Sequence, residues 1–156
     1  MENNIYDVLK KLDIKYERIK HKPVYTVQEI KDIKLNIDGT GCKNIFLKDK
    51  KHNFYLYVLQ EDKRVDFKYL QKELGNNRLS FANTEELYQY LKLEQGAVTP
   101  LGIINNEEKN VTVLLDKELK GKVLLVHPNI NTETISIKYD DLTKFIENHG
   151  NIYMEI

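Results

Sequence analysis

CKNIFLKDKKHNFYLYVLQ, residues 42–60, decides the architecture of this chain. Two β-rich runs, Cys42–Asp49 and Phe54–Gln60, flank the polar stretch Lys50–Asn53, and together they read as an antiparallel hairpin with a slightly long loop. Within the first run the two-residue period puts Lys43, Ile45 and Leu47 on one face and Asn44, Phe46 and Lys48 on the other. Lys43 therefore lies on a face that is otherwise apolar, and two roles are open to it. Its stem can follow apolar surface while the head stays in water, or its ammonium can stand at a pocket wall and meet a phosphate or a developing oxyanion.

Upstream of the hairpin, Ile5, Val8, Leu9 and Leu12 recur at helical spacing over Asn4–Leu12, and YERIKH (16–21) then alternates like a short strand. Thr26 and Glu29 form a capping box that opens a helix over 27–33, and the turn residues Asp38 and Gly39 follow. Downstream, Asp66 caps a helix through Leu74 that Gly75 stops, and Asn83 with Glu86 opens a helix carrying Leu87, Tyr90 and Leu91 on one face. VTVLLD (111–116), KVLLVH (122–127) and TETISI (132–137) are strands, and residues 140–148 form a last helix before Gly150. Strands and helices are interspersed, yet several connections are too short for parallel crossovers. The expected fold is α/β of the α+β kind, a mixed and mostly antiparallel sheet with flanking helices. No repeat, linker or composition shift divides residues 1–156, so one domain is expected.

With 41% hydrophobic and 31% charged residues in a chain of 156, intrinsic disorder is excluded as the main state. No apolar run approaches the ~18 residues of a membrane span, and the N-terminus lacks the apolar core of a secretory signal. A cytoplasmic location and no membrane partner are expected. The one cysteine, Cys42, excludes an internal disulfide and a cysteine-clustered zinc site. A net charge of zero hides an asymmetry: residues 1–78 carry 17 basic and 12 acidic side chains, residues 79–156 carry 7 and 12. The basic half can serve as a nucleic-acid footprint, or the charges can be an even solvated coat.

Three further segments carry polar groups that neither periodicity nor capping explains. In Gly96-Ala97-Val98-Thr99-Pro100-Leu101-Gly102, glycine permits positive φ and proline fixes the far end, so the N–H groups between can converge on an oxygen; a tight helix-to-strand loop explains the same pattern. His127, ahead of Pro128-Asn129-Ile130-Asn131-Thr132, closes a strand where polar residues crowd a turn, and it can act as acid, base, positioning donor or structural residue. His21, before Lys22-Pro23, has the same ambiguity. No Ser-His-Asp ordering, phosphate-binding glycine loop or metal-ligand spacing is present, and Cys42 in its apolar strand reads as an inert thiol.

Five stretches, HKPVYTVQE (21–29), GCKNIFLKDKK (41–51) with FYLYVL (54–59), KRVDFKYLQKELGNNRLSFA (63–82), GAVTPLGIIN (96–105) and HPNINTETISI (127–137), occur in this order across nearly the whole chain. Together they resemble the YbaK/ProX-type aminoacyl-tRNA deacylases, a family that also supplies the editing insertion of bacterial prolyl-tRNA synthetases. The portion RVDFKYL…RLSFA…GAVTPLGIIN looks most like the free-standing branch that hydrolyses alanyl-tRNA carrying the proline anticodon. The resemblance implies a curved, barrel-like sheet and a hydrolase that releases alanine from mischarged Ala-tRNA(Pro). Deacylation of Cys- or Ser-tRNA, or a non-catalytic module binding tRNA or a synthetase, are the competing readings.

The resemblance also implies residue roles. Lys43 engages the terminal adenosine's phosphate or the reacting region, and Gly96, Ala97, Val98, Thr99 and Pro100 position the ester carbonyl through backbone donors. His127 lines the pocket, with Asn44, Gly102, Asn131, Thr132 and His21 as further substrate-binding candidates. Lys48 and Arg78 face the acceptor stem of proline tRNA. Water attacks with help from the terminal ribose hydroxyl, so no protein nucleophile, metal or organic cofactor is called for. Prolyl-tRNA synthetase is the expected protein partner of a monomer.

Overall fold

Helix α1 (Glu2–Lys11) and the short strand β1 (Arg18–Lys20) lead into the hairpin, β2 (Thr40–Asp49) and β3 (Phe54–Gln60), in the computed structural model, which describes residues 2–23 and 38–156. The capping box at Thr26 and Glu29 and the helix expected over 27–33 lie outside the described residues. The hairpin has the expected register, with Lys43 opposite Leu59 and Asn44 opposite Val58. Then come α2 (Phe67–Glu73), β4 (Leu79–Phe81), α3 (Thr84–Leu91), a 3-10 turn (Pro100–Asn105), β5 (Val111–Leu115) and a second 3-10 turn (Lys117–Leu119). Strands β6 (Val123–Val126) and β7 (Glu133–Lys138), helix α4 (Tyr139–His149) and strand β8 (Tyr153–Glu155) complete the chain.

The caps explain the helix boundaries. The Asp66 carboxylate accepts from the Tyr69 N–H at 3.0 Å, and Asn83 and Glu86 bond each other's backbone N–H groups at 2.8 and 3.0 Å, satisfying donors a helix start leaves open. Gly150 ends α4 at φ 102°, a conformation that costs glycine little. Among the described residues no helix is long and apolar enough to cross a membrane.

The sheet runs β1-β7-β6-β2-β3-β5-β8, with β4 added to β2. Pairs β1–β7, β7–β6, β2–β3 and β2–β4 are antiparallel; β2–β6, β3–β5 and β5–β8 are parallel. The parallel pairs join strands separated by helices or long connections, which is what a parallel return needs. The path is open at β1 and β8, so the expected barrel-like sheet does not close.

Strand β3 is buried on both faces. Leu56 and Val58 join Phe46, Leu91, Leu101, Val113, Ile135 and Phe145 in the larger core, while Tyr55, Tyr57 and Leu59 join Leu47, Leu70, Leu114 and Ile156 in a smaller one under α2. Beside β2, strand β6 pairs only at Thr40 and Gly41 and β4 only at Leu47–Asp49. Between those pairings no strand among the described residues covers the outer edge of β2, and this gap positions the site.

Candidate active site

At the gap, Gly41, Cys42, Asn44, Leu125, Val126, His127 and Thr134 line a cavity of about 20 Å³. Strand alternation sends Asn44 inward, and its Oδ1 is buried with no hydrogen-bond partner. Such an orphan acceptor is uncommon in a folded protein and points to a missing donor. A Cβ at Gly41 would displace the carboxylate of Glu61, which packs directly against the glycine. Burial, with the Glu61 carboxylate nearby, pushes the Cys42 thiol up to about 12; it is a wall, not a nucleophile.

His127 is held in one tautomer. Its Nδ1 lies 2.9 Å from the Glu133 carbonyl, which can only accept, so Nδ1 carries the proton and Nε2 offers a lone pair. Burial lowers its pKa, against the raising effect of the Glu133 bond and with a further lowering from His21, so the ring is neutral at physiological pH. The His21 ring sits 6.1 Å away. Its Nδ1 donates to the Lys22 carbonyl at 2.7 Å, and its Nε2 accepts from the Thr134 hydroxyl at 2.7 Å. Behind them the buried Glu133 carboxylate, contacted by Arg18 Nε and by the Tyr6 hydroxyl at 3.4 Å, anchors the start of β7.

The glycine–proline segment is stitched to this histidine. The fully buried Thr99 hydroxyl donates to the His127 carbonyl at 2.6 Å, and its oxygen accepts from the Leu101 N–H at 3.3 Å, capping the 3-10 turn. Gly96 takes φ 94°. The Ala97 N–H is committed to the Glu94 carbonyl, whereas the Val98 and Thr99 N–H groups make no backbone hydrogen bond among the described residues. The Gly96 N–H is likewise without a backbone hydrogen bond among the described residues, so three of the expected loop donors remain for a ligand. Gly102 is buried inside the turn, where a Cβ would meet Leu93 Cδ1 at 2.4 Å. Its role here is packing. Gly102→Ala is expected to destabilise the fold by about 1–3 kcal/mol through overpacking, read as a lower urea midpoint at constant m; an unmoved midpoint would mean Leu93 yields freely.

Residues 21–145 match the model of the aminoacyl-tRNA editing domain. The chain belongs to this family. The editing domain is 42% identical to the prolyl-tRNA editing protein ProX of Acetoanaerobium sticklandii over 150 residues, covering 95% of this chain and 92% of that one. It is 34% identical to the prolyl-tRNA synthetase associated domain-containing protein 1 of Danio rerio, covering 94% and 82%. Its fold is that of a proposed trans-editing enzyme for prolyl-tRNA synthetase, with a TM-score of 0.71 at 16% identity and coverage of 99% and 94%.

The remaining candidates are not among the residues that line the small cavity. Lys43 is on the opposite face of β2 from Asn44, with Ile45 and Leu47, half-buried and without an ion pair among the described residues. It leaves the strand beside the uncovered edge. Lys48 Nζ bonds both carboxylate oxygens of Glu86 at 2.9 Å, so a phosphate there competes with Glu86. Arg78 is exposed just before β4. Asn131 and Thr132 line a different, wider cleft with Ala97. Thr134, Glu133 and Arg18 were not legible as site residues, since nothing in an alternating TETISI distinguishes a threonine that bonds a distant histidine. Among the described residues no group of three or more His, Cys, Asp or Glu is placed to hold a metal.

Proposed function

We propose that this chain is a trans-acting editing hydrolase that deacylates mischarged Ala-tRNA(Pro) to alanine and free tRNA. One observation carries the reading: a cavity of about 20 Å³ lined by an orphan carboxamide oxygen on Asn44 and a neutral histidine. Such a volume suits a methyl group and is too small for the pyrrolidine ring of proline. A synthetase pocket built for proline cannot strongly reject alanine, because missing methylenes change binding by only about 1–3 kcal/mol each; a second, smaller sieve supplies what the first lacks. The Acetoanaerobium relative is a prolyl-tRNA editing protein, which supports editing on proline tRNA.

In this reading the substrate's α-ammonium donates to Asn44 Oδ1, and the alanine methyl enters the cavity. Water attacks the ester carbonyl carbon with the terminal ribose hydroxyl assisting, the acyl C–O bond breaks, and the proton passes to the departing ribose oxygen. The carbonyl oxygen, as it becomes negative, meets the N–H groups of Val98 and Thr99 and the positive field of Lys43. His127 Nε2 accepts a hydrogen bond from the attacking water. Release of labelled amino acid from Ala-tRNA and Pro-tRNA, both on proline tRNA, tests this at low protein stoichiometry. Selective turnover of alanine supports the reading, and tRNA binding without release of either amino acid sinks it.

Arg78 offers the acceptor stem an exposed guanidinium, and Lys48 is tied to Glu86. Arg78→Ala is therefore expected to raise KM several-fold with little change in kcat, and to reduce the salt slope of log KM by about one. An unchanged slope would remove Arg78 from the phosphate contacts.

A further inference from the structure

Strand β1 stands at one end of the sheet order, beside β7. The segment that contains it, residues 10–22, carries six basic and two acidic side chains, so most of the excess positive charge of residues 1–78 is concentrated there. Backbone hydrogen bonds from Ser136 to the Glu17 carbonyl and from His21 to the Thr132 carbonyl continue the pairing past both ends of the strand. Tyr16, Arg18, Lys20 and Lys22 take alternate positions of this extended stretch, and all four are exposed. Alternate positions on a strand are about 6.6–6.8 Å apart, a pitch close to the distance between successive phosphates of a nucleic-acid strand. Charged side chains on an edge strand also deter pairing with another sheet, a task that asks for no fixed geometry. Arg18 has a fixed geometry. Its Nε engages the buried Glu133 carboxylate, and its guanidinium lies 4.7 Å from the centre of the Tyr6 ring, which in turn packs 5.6 Å from the Tyr16 ring. Lys20 and Lys22 have no ion pair among the described residues.

We propose that Arg18, Lys20 and Lys22 form a second phosphate-binding surface, which holds the backbone of the acceptor-stem duplex on the side of the cavity opposite Arg78 and Lys48. The inference rests on the editing reading above and extends it from one rim of the site to both. In the sheet order β1-β7-β6-β2, with β4 beyond, the cavity is lined from β7, β6 and β2. It therefore lies between the cations of β1 and those of β2 and β4. A duplex laid across the two groups straddles the cavity, and its unpaired 3′ end drops between them. The row also ends beside the site, because the Lys22 carbonyl accepts from His21, whose ring is 6.1 Å from that of His127. Contacts of this kind fix register and orientation and carry no sequence information. Arg18, already held by Glu133 and Tyr6, keeps one end of the row in place.

The test uses an uncharged minihelix of the proline acceptor stem for binding and the same minihelix charged with alanine for kinetics. Lys20→Ala/Lys22→Ala removes two exposed charges, while Arg18 stays because its loss would strand the buried Glu133 carboxylate. The double variant is expected to raise Kd and KM about tenfold and to lower the salt slope of log Kd by about 1.8. Lys20→Arg/Lys22→Arg is expected to keep the wild-type slope, since a guanidinium also meets phosphate. Lys109→Ala/Lys117→Ala, an exposed pair flanking β5 that lowers the net charge equally, is expected to leave the slope unchanged. Adding Arg78→Ala to Lys20→Ala/Lys22→Ala is expected to lower the slope by the sum of the two losses, as one duplex held at both rims requires. An unchanged slope in Lys20→Ala/Lys22→Ala, an equal loss in Lys109→Ala/Lys117→Ala, or a combined loss no larger than either alone overturns the assignment. A wild-type protein that binds the minihelix, loses slope in the double variant as expected and yet releases no amino acid refutes the editing reading and leaves the surface standing.

Discussion

Replacing Lys43 by alanine is expected to slow alanine release from Ala-tRNA(Pro) about a hundredfold and to leave the urea midpoint of the protein almost unmoved. The two halves of this expectation have different physical origins. Lys43 is half-buried on the Ile45 and Leu47 face, opposite Leu59, and has no ion pair among the described residues. Its removal therefore orphans no buried charge, and a partly exposed substitution of this kind shifts stability by about 0.5 kcal/mol or less. An ammonium on an apolar face with no carboxylate to neutralise it is instead available to a negative group arriving at the uncovered edge of β2. One preorganised stabiliser of developing charge is worth about 10²–10³ in rate. Lys43→Met keeps the stem and loses the charge, so it should match Lys43→Ala in rate if charge is the cause. Single-turnover rates beside urea melts make the comparison. A folded Lys43→Ala protein with undiminished rate would confine the chemistry to the Asn44 and His127 face.

Both the α2 and α3 caps and the Gly150 stop could be read directly because each depends on residues within five positions of one another, and the hairpin because one short loop joins its two strands. Strands β4 and β8 could not. Three residues hold too little periodicity to register, and both exist because a neighbouring strand offers an edge. TETISI alternates, yet β7 is buried from Glu133 to Ile137, where β1 and β6 flank it and α4 packs against it. The site shows the same division. Asn44, His127, Thr99 and His21 were legible as unexplained polar residues, and the structure gathers them around one cavity edge. What joins them spans 28 positions from Thr99 to His127 and 113 from His21 to Thr134. Contacts at that range are set by sheet order, which local spacing does not encode.

Replacing His127 by asparagine is expected to lower kcat/KM about a hundredfold and to abolish an acid limb that the wild-type profile carries below pH 6.5. Asparagine can still donate an N–H to the Glu133 carbonyl, so the turn keeps its hydrogen bond, but it has no basic nitrogen. The wild-type histidine, held below its ordinary value near 6.5 chiefly by burial, stays neutral through physiological pH and offers Nε2 to water. A positioned base of this kind contributes about 10²–10⁴. As pH falls through its folded pKa, the imidazole takes a proton and the acceptor is lost, so activity falls there. Stability follows the same group with a definite sign. The unfolded chain binds a proton near pH 6.5 that the folded chain refuses, so the stabilisation is complete above 6.5 and declines as pH drops from 6.5 toward the folded value. His127→Asn should flatten that decline as well as the rate profile. Only the part of each curve that vanishes in His127→Asn belongs to His127. A variant that retains the wild-type acid limb places the titrating group elsewhere, while one that retains the wild-type rate removes His127 from the machinery and leaves the orphan oxygen of Asn44 as the cavity's one functional polar group.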